Sequence, residues 1–198
     1  MRRASSAPKT SFKIVRAYCS GWGVKMETQA LGFVLETSPR RQARFDHREE
    51  TLQRPSNAQA LSLMETWESL KSRGGMIVGR HFPSRKFAGL LPNILLLEKL
   101  ERVRDFRVRL AGFGMLCFYG FDPSGRRLGE FYQGEKHEAR WSSLNAVLRG
   151  RPHIKLSRLS QSGETVLQRE IVALPVLASD ALTPLVLVAS FWSRRWLN

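Results

Sequence analysis

The sequence predicts an α+β fold in which a five-stranded antiparallel sheet carries a helical segment between strands 2 and 3 and an N-terminal amphipathic helix. Three observations lead to this prediction. An apolar stripe with helical spacing follows residue 57, two apolar segments joined by a short polar connection come next, and a second helical stripe precedes three more apolar segments. With 198 residues, of which 42% are hydrophobic, the chain can bury one sizeable core.

The first 56 residues differ in composition from the rest. They hold 11 of the 32 Lys+Arg residues and 5 of the 17 Asp+Glu residues, and they show no sustained hydrophobic period. We predict a weakly structured basic extension over 1–56 and a folded domain over 57–198. Three interpretations of the extension stay open: a disordered tail, untranslated sequence upstream of a true start at Met26 or later, or an Arg- and Ser-rich organellar transit peptide.

The folded part begins with an amphipathic helix. Its apolar residues recur at the spacing of one helix face: Ala60, Leu63, Met64, Trp67 and Leu70. Pro55-Ser56-Asn57 provides start signals, and Gly74-Gly75 ends the pattern. The spacing therefore predicts a helix over 57–71, with Trp67 as a core anchor.

Two strands follow a short helical turn at 87–92. The segment 94–100 contains three consecutive leucines, which indicates burial on both faces. The segment 105–111 alternates, with Arg107 and Arg109 on one face and Phe106, Val108 and Leu110 on the other. Because only four residues connect these segments, they are expected to form an antiparallel hairpin.

The second half predicts a helical middle and three strands. Residues 112–129 contain five glycines and an Asp-Pro-Ser-Gly turn signal, as expected of loops and short helices. A helix over 136–148 has Trp141, Leu144 and Leu148 on its apolar face. Strands are predicted over 154–159, 165–176 and 185–192, with a turn at Ser162-Gly163 between the first two.

Several local strings accompany this order of elements. They are Trp67, Gly74-Gly75, Pro83-Ser84-Arg85, the segment 90–97, the segment 106–112 and the segment 119–126. The most specific pair is Arg-Leu-Ala-Gly at 109–112 with Gly-x-Asp-x-x-Gly at 120–125. In these strings and in its order of elements, the region 58–195 resembles a PAS sensor domain, and most closely a bacterial subfamily of small, often single-domain PAS proteins.

The resemblance implies a sensory or regulatory module whose sheet and helical middle enclose a small apolar pocket. The residues expected to line it are Phe106, Val108, Leu110, Phe113, Leu116, Trp141, Leu144 and Leu187. The same residues would fill a dry core in a module without a ligand, and both interpretations stay open. Asp122 is expected to accept hydrogen bonds from its own turn. Arg109 is expected either in solvent or beside a fixed partner such as Asp122 or a bound anion.

PAS domains carry varied cofactors, but these residues assign none. Cys117 stands in the apolar string 115–119, which indicates a packed, inert thiol rather than a photochemical cysteine. His137 is the haem-ligand candidate, because it shares a helical face with Trp141 and Leu144; the alternative is a helix-start histidine near the surface. No other metal site and no enzyme signature is present in the sequence, so we predict no enzyme activity.

These observations predict a cytoplasmic signalling module with no membrane span. It would act through small-ligand binding, through a homodimer, or through a separate signalling protein. Two alternatives remain. One is a nucleic-acid or anionic-surface binder that uses the net charge of +15, with a basic cluster at Arg102, Arg104, Arg107, Arg109, Arg149 and Arg151. Poor aromatic interleaving argues against nucleic acid. The other is a haem-linked redox sensor.

Overall fold

A six-stranded antiparallel sheet with helices on both faces is the framework of the protein. The computed structural model describes residues 45–161 and 164–194. The strands are β1 (Phe45–Leu52), β2 (Ile94–Lys99), β3 (Phe106–Ala111), β4 (His153–Gln161), β5 (Glu164–Leu177) and β6 (Pro184–Arg194). The α-helices are α1 (Ala58–Lys71), α2 (Phe113–Tyr119) and α3 (Gly134–Leu148). Two 3₁₀ segments cover Arg85–Asn93 and Leu128–Glu130. No described helix has the length and apolar character needed to cross a membrane.

The strand order is β1-β4-β5-β6-β2-β3, and every neighbouring pair is antiparallel. The α+β class and the antiparallel sheet are therefore confirmed, as is the β2–β3 hairpin. The strand count of five is wrong, because the sheet has six strands. The turn predicted at Ser162-Gly163 lies outside the described residues.

The extra strand comes from the segment that the sequence assigned to the basic extension. β1 pairs with β4 along its whole length, from Phe45 opposite Gln161 to Leu52 opposite Ile154. Its middle residues are charged on both faces, so it lacks the period-2 hydrophobic pattern that marks a strand. Ion pairs across the strands replace that pattern, Glu49 with Lys155 and Glu50 with Arg158. The interpretations of residues 1–44 lie outside the described residues.

The sheet buries apolar side chains on both of its faces. On one face, which we call the α1 face, Ala60, Leu63 and Trp67 of α1 pack against β2, β5 and β6. On the other, the α3 face, Leu144 and Val147 of α3 pack against β2, β3 and the neighbouring strands. The alternation of strand side chains explains this division, since Leu96 belongs to the first cluster and Leu95 and Leu97 to the second.

A buried carboxylate holds the start of α1 on the sheet. Glu170 of β5 is 2% exposed. It accepts hydrogen bonds from the Ser56 and Asn57 N–H groups at 3.1 and 3.3 Å, and from the Ser56 hydroxyl. Asn57 in turn caps α1, because its Oδ1 accepts the Gln59 N–H at 2.9 Å. One turn from the other end, Trp67 Nε1 donates to the Pro175 carbonyl at 2.8 Å.

We expect Glu170→Ala to lower the free energy of unfolding by about 2–3 kcal/mol, because it leaves several donors without a charged acceptor. Urea denaturation measures this loss, and hydrogen exchange should show faster exchange at the start of α1. Glu68→Ala, on the exposed side of the same helix, is the control and should change little. Equal effects of the two substitutions would contradict the anchoring role of Glu170.

His153, the first residue of β4, should make stability depend on pH. Burial, together with the nearby charge of Lys155, lowers the pKa of His153 below its usual value of 6.5. The unfolded chain therefore binds the proton more readily than the folded one as the pH falls through about 6.5. The free energy of unfolding should therefore decrease as the pH falls from about 6.5 toward the folded-state pKa of His153, and it should level off below that pKa. We expect His153→Asn to flatten this part of the curve of melting temperature against pH. An unchanged slope between pH 7 and 5 would rule out this contribution.

Candidate functional site

Four of the eight expected pocket residues belong to the core of the α3 face. Phe106 and Val108 of β3 are fully buried on the α3 face. Leu144 is buried beside them, and the Trp141 ring lies 5.3 Å from that of Phe106, measured between centroids. Leu116 is half-buried in α2. Phe106, Val108, Trp141 and Leu144 are therefore brought together on the α3 face, as both the pocket and the dry-core interpretations expect.

Three of the expected pocket residues lie elsewhere. A β-bulge places Leu96 opposite Leu110 and Leu97 opposite Val108, so Arg109 is an extra residue on β3. Leu110 is thereby turned away from Phe106 and Val108 and is 47% exposed. Phe113, at the start of α2, is 45% exposed. Leu187 pairs with Leu96 and packs in the core of the α1 face.

The polar residues singled out from the sequence have local partners. Asp122 Oδ1 accepts the Ser124 N–H of its own turn at 2.9 Å, and this bond lowers the pKa of Asp122. Arg109 Nη1 lies 3.3 Å from Glu98 Oε1, so its partner is Glu98 rather than Asp122. In the basic cluster, Arg104 pairs with Glu138 at 2.9 Å. Two of the six cluster arginines are thus paired with carboxylates.

The haem-ligand candidate His137 is engaged in a buried hydrogen-bond network. Its Nε2 lies 3.1 Å from Oδ1 of Asp105, a buried residue just before β3. The Asp105 carboxylate also accepts the Phe106 N–H at 2.8 Å and the Gly129 N–H at 3.1 Å. Asp105 therefore joins β3, the 3₁₀ segment Leu128–Glu130 and α3. Within the described ranges no group of three His, Cys, Asp or Glu side chains is placed to hold a metal ion.

A second polar group on the α3 face is more unusual, because its centre is an arginine in the middle of the sheet. The guanidinium carbon of Arg169 in β5 lies 4.3 Å from the ring centroid of Phe118 and 4.8 Å from that of Trp192. Tyr119 and Tyr132 adjoin these rings, and the Arg140 guanidinium stacks 3.7 Å above the Tyr132 ring. We call these six side chains the arginine–aromatic cluster.

Arg169 is half-buried, which removes part of its water without giving it a carboxylate at ion-pair distance among the described residues. Desolvation lowers the pKa of Arg169, and the nearby charge of Arg140 acts in the same direction. Its Nε and Nη2 donate to the Ser190 hydroxyl at 3.2 and 2.8 Å. Among the described residues no carboxylate lies within 4.0 Å of its nitrogens. The two ring faces supply cation–π attraction, which offsets part of the desolvation.

The two tyrosines form a hydrogen-bonded pair beside this guanidinium. Tyr132 Oη donates to Tyr119 Oη at 2.9 Å. Burial raises the pKa of Tyr119 strongly, and the neighbouring Tyr132 phenol adds to the effect, so Tyr119 stays neutral. A pair of phenols carries two protons, and the bond between them uses one. The second proton is a donor that the pair can offer to an acceptor nearby.

Strand register extends the cluster across the sheet. Glu49, Ser157, Arg169 and Trp192 stand directly opposite one another on β1, β4, β5 and β6, so they share one face. Glu49 is paired with Lys155. Burial acts to raise the pKa of Glu49, but Lys155, His47 and Arg140 outweigh it and hold that pKa below its usual value. One face of the sheet thus has an apolar half under α3 and a charged half toward β1.

The sequence pattern did not single out this cluster. Its one local signal is the Arg169-Glu170 pair in the middle of β5, just before the apolar run 171–177, where adjacent residues point to opposite faces. Each face therefore receives one charge far from the strand ends. The partners of Arg169 come from α2, α3 and β6, and only the tertiary fold brings them together.

The Asp105–His137 contact should contribute measurably to stability. We expect Asp105→Ala to lower the free energy of unfolding by about 2–3 kcal/mol and His137→Ala by about 1 kcal/mol. A double-mutant cycle in urea should give a coupling energy of about 1 kcal/mol. Glu101→Ala, an exposed acid in the same hairpin turn, is the control. Additive losses would show that the two side chains do not interact.

Comparison with known proteins identifies no relative of this chain. The chain matches no protein-family model, no curated protein and no solved structure.

Proposed function

We propose that this chain is a sensory or regulatory module of the PAS type, which binds a small ligand and acts through a partner protein or a second copy of itself. The observation that carries the proposal is the arginine–aromatic cluster. It places a half-buried cation without a carboxylate partner among the described residues between the sheet and the helical segments, on the face where the resemblance implies a ligand. Partial removal of a charge from water costs free energy, and a bound ligand would offset that cost.

The order of elements gives further support. Two strands, a helical middle and three strands follow α1, as in the fold that the resemblance implies. The five strands β2 to β6 are contiguous in the sheet, and β1 is added at the β4 edge.

The strings that carry the resemblance also contact one another. A side chain at Gly112 would overlap the carbonyl oxygens of Leu91 and Pro92, so the Arg-Leu-Ala-Gly string needs glycine at its end. Gly112 N–H donates to the Ile94 carbonyl at 2.9 Å, and Gly125 N–H donates to the Val108 carbonyl at 2.7 Å. Three separated strings thus meet around β3. This is the behaviour expected of residues that specify one fold.

Signalling by such a module requires a ligand that binds two conformations with unequal affinity. The cluster includes residues from α2, α3, β5 and β6, so a ligand there would contact both the helical segments and the sheet. Its binding would favour the packing of α2 and α3 in which these contacts are made. A partner that recognises this packing would receive the signal.

Small-molecule binding by the full chain tests the proposal. We expect a screen of neutral, anionic and cationic compounds to yield a class that raises the melting temperature saturably. At a ligand concentration of 100 Kd the stabilisation should be about 2.7 kcal/mol, or roughly 5–10 °C for a domain of this size. Native mass spectrometry of the same samples should show one bound molecule per chain. No stabilising compound and no bound mass would contradict ligand sensing.

A further inference from the structure

We propose that the arginine–aromatic cluster binds the carboxylate of a small aromatic organic acid. The proposal rests on the ligand-binding function inferred above, and it names the chemical class of ligand and the residues that recognise it. Arg169 and Arg140 would hold the carboxylate, and the aromatic side chains around them would contact the ring.

Arg169 has hydrogen-bond donors that its partner Ser190 does not use. A guanidinium has five N–H donors, and Ser190 Oγ is the acceptor of two of them. The remaining donors have no carboxylate partner in the described part of the chain. A planar carboxylate accepts two parallel bonds from such a group, and charge-assisted bonds of this kind are about twice as strong as neutral ones.

The charge around the Arg169 guanidinium also favours a bound anion. Arg140 is near enough to act on the pKa of Arg169, and the two cations repel each other. An anion between them would turn this repulsion into two attractions. The Tyr119–Tyr132 pair adds the neutral phenolic proton that its internal bond does not use. Cationic and neutral donors within one cluster favour an oxyanion over a neutral oxygen.

The aromatic side chains determine the rest of the ligand. Phe118, Tyr119, Tyr132 and Trp192 are all half-buried, so each keeps part of its surface accessible, and the rings of Phe118 and Trp192 lie against the Arg169 guanidinium. Phe118 and Trp192 are also in contact, with ring centroids 5.3 Å apart. A flat apolar group attached to the carboxylate would cover this surface and exclude water from the charge-assisted bonds. An aromatic acid meets both requirements, whereas an inorganic anion meets only the first.

Glu49 is the acidic group on the same face, and it competes with such a ligand. Its charge acts on both Arg169 and Arg140, while its hydrogen bond goes to Lys155. His47 lies nearby and contacts Ser157 Oγ at 2.8 Å. With Arg140, Lys155 and Arg169 against Glu49, the face keeps an excess of positive charge, and removal of the Glu49 charge should favour an anion further.

The test measures the binding of benzoate and of its neutral isostere benzamide to the full chain by isothermal titration calorimetry. We expect saturable binding of benzoate and at least 10-fold weaker binding of benzamide. Arg169→Met should weaken benzoate binding roughly 10- to 100-fold, and Arg169→Lys should weaken it less, since lysine keeps the charge but not the planar fork. Arg158→Met is the matched control, because Arg158 of β4 pairs with Glu50 on the opposite face, and it should leave benzoate binding unchanged.

Two further measurements separate recognition from a structural role. Glu49→Gln should tighten benzoate binding roughly two- to fivefold at low ionic strength, and salt should reduce this gain. Without ligand, Arg169→Met should leave the melting temperature nearly unchanged, since removal of a partly desolvated charge offsets the loss of the hydrogen bonds to Ser190. A structural arginine would instead give a clear fall in melting temperature.

The outcomes distinguish this proposal from the broader one. Benzoate binding that persists in Arg169→Met, or wild-type binding of neutral compounds alone, would overturn the carboxylate site and leave ligand sensing standing. If the compound screen and native mass spectrometry also detect no ligand, both proposals fail. Benzoate binding that is lost in Arg169→Met, retained in Arg158→Met and improved in Glu49→Gln would establish the site.

Discussion

The structure depends on a central group of strands that is apolar on both faces. Residues 94–97 of β2 are all buried, and β5 and β6 alternate between the two cores. Such strands are stable only when helices cover both faces, because each exposed face would present a large apolar surface to water. The covering of α1 on one face and α2 and α3 on the other follows from this requirement. So does the need for polar anchors that fix the position of each helix, since apolar contact alone is not directional.

Two adjacent residues of β5 carry opposite charges in different environments. Glu170 faces α1, where backbone N–H groups and a hydroxyl satisfy its oxygens. Arg169 faces α3, where it has ring faces and one serine hydroxyl. Glu170 thus positions a helix, whereas Arg169 is half-buried and has no ion-pair partner among the described residues, and a bound anion would supply one. Their positions on opposite faces separate the structural role from the proposed binding role.

The sequence predicted the elements well because their patterns are local. The apolar stripe from Ala60 to Leu70 predicts a helix, and the short β2–β3 connection predicts a hairpin. The glycines around residue 112 predict loops and short helices. The errors have non-local causes. Alternation put Leu110 beside Val108, but the bulge at Arg109 reverses the face of every later residue. The face of Leu187 depends on its register with Leu96, and β1 is held by ion pairs that no apolar period reports. The cluster around Arg169 joins four elements and has no single spacing.

The cations behind the net charge of +15 stand in different environments. Arg104, Arg109 and Arg158 stand in exposed pairs with carboxylates, and such pairs contribute about 0–1 kcal/mol each. They describe a solvated surface, and salt screens them. Arg169 is one cation among the 32 Lys+Arg residues, but its partial burial lowers its pKa, because removal of water from a charge costs free energy. The environment of Arg169, rather than the number of basic residues, is therefore the electrostatic feature that bears on function.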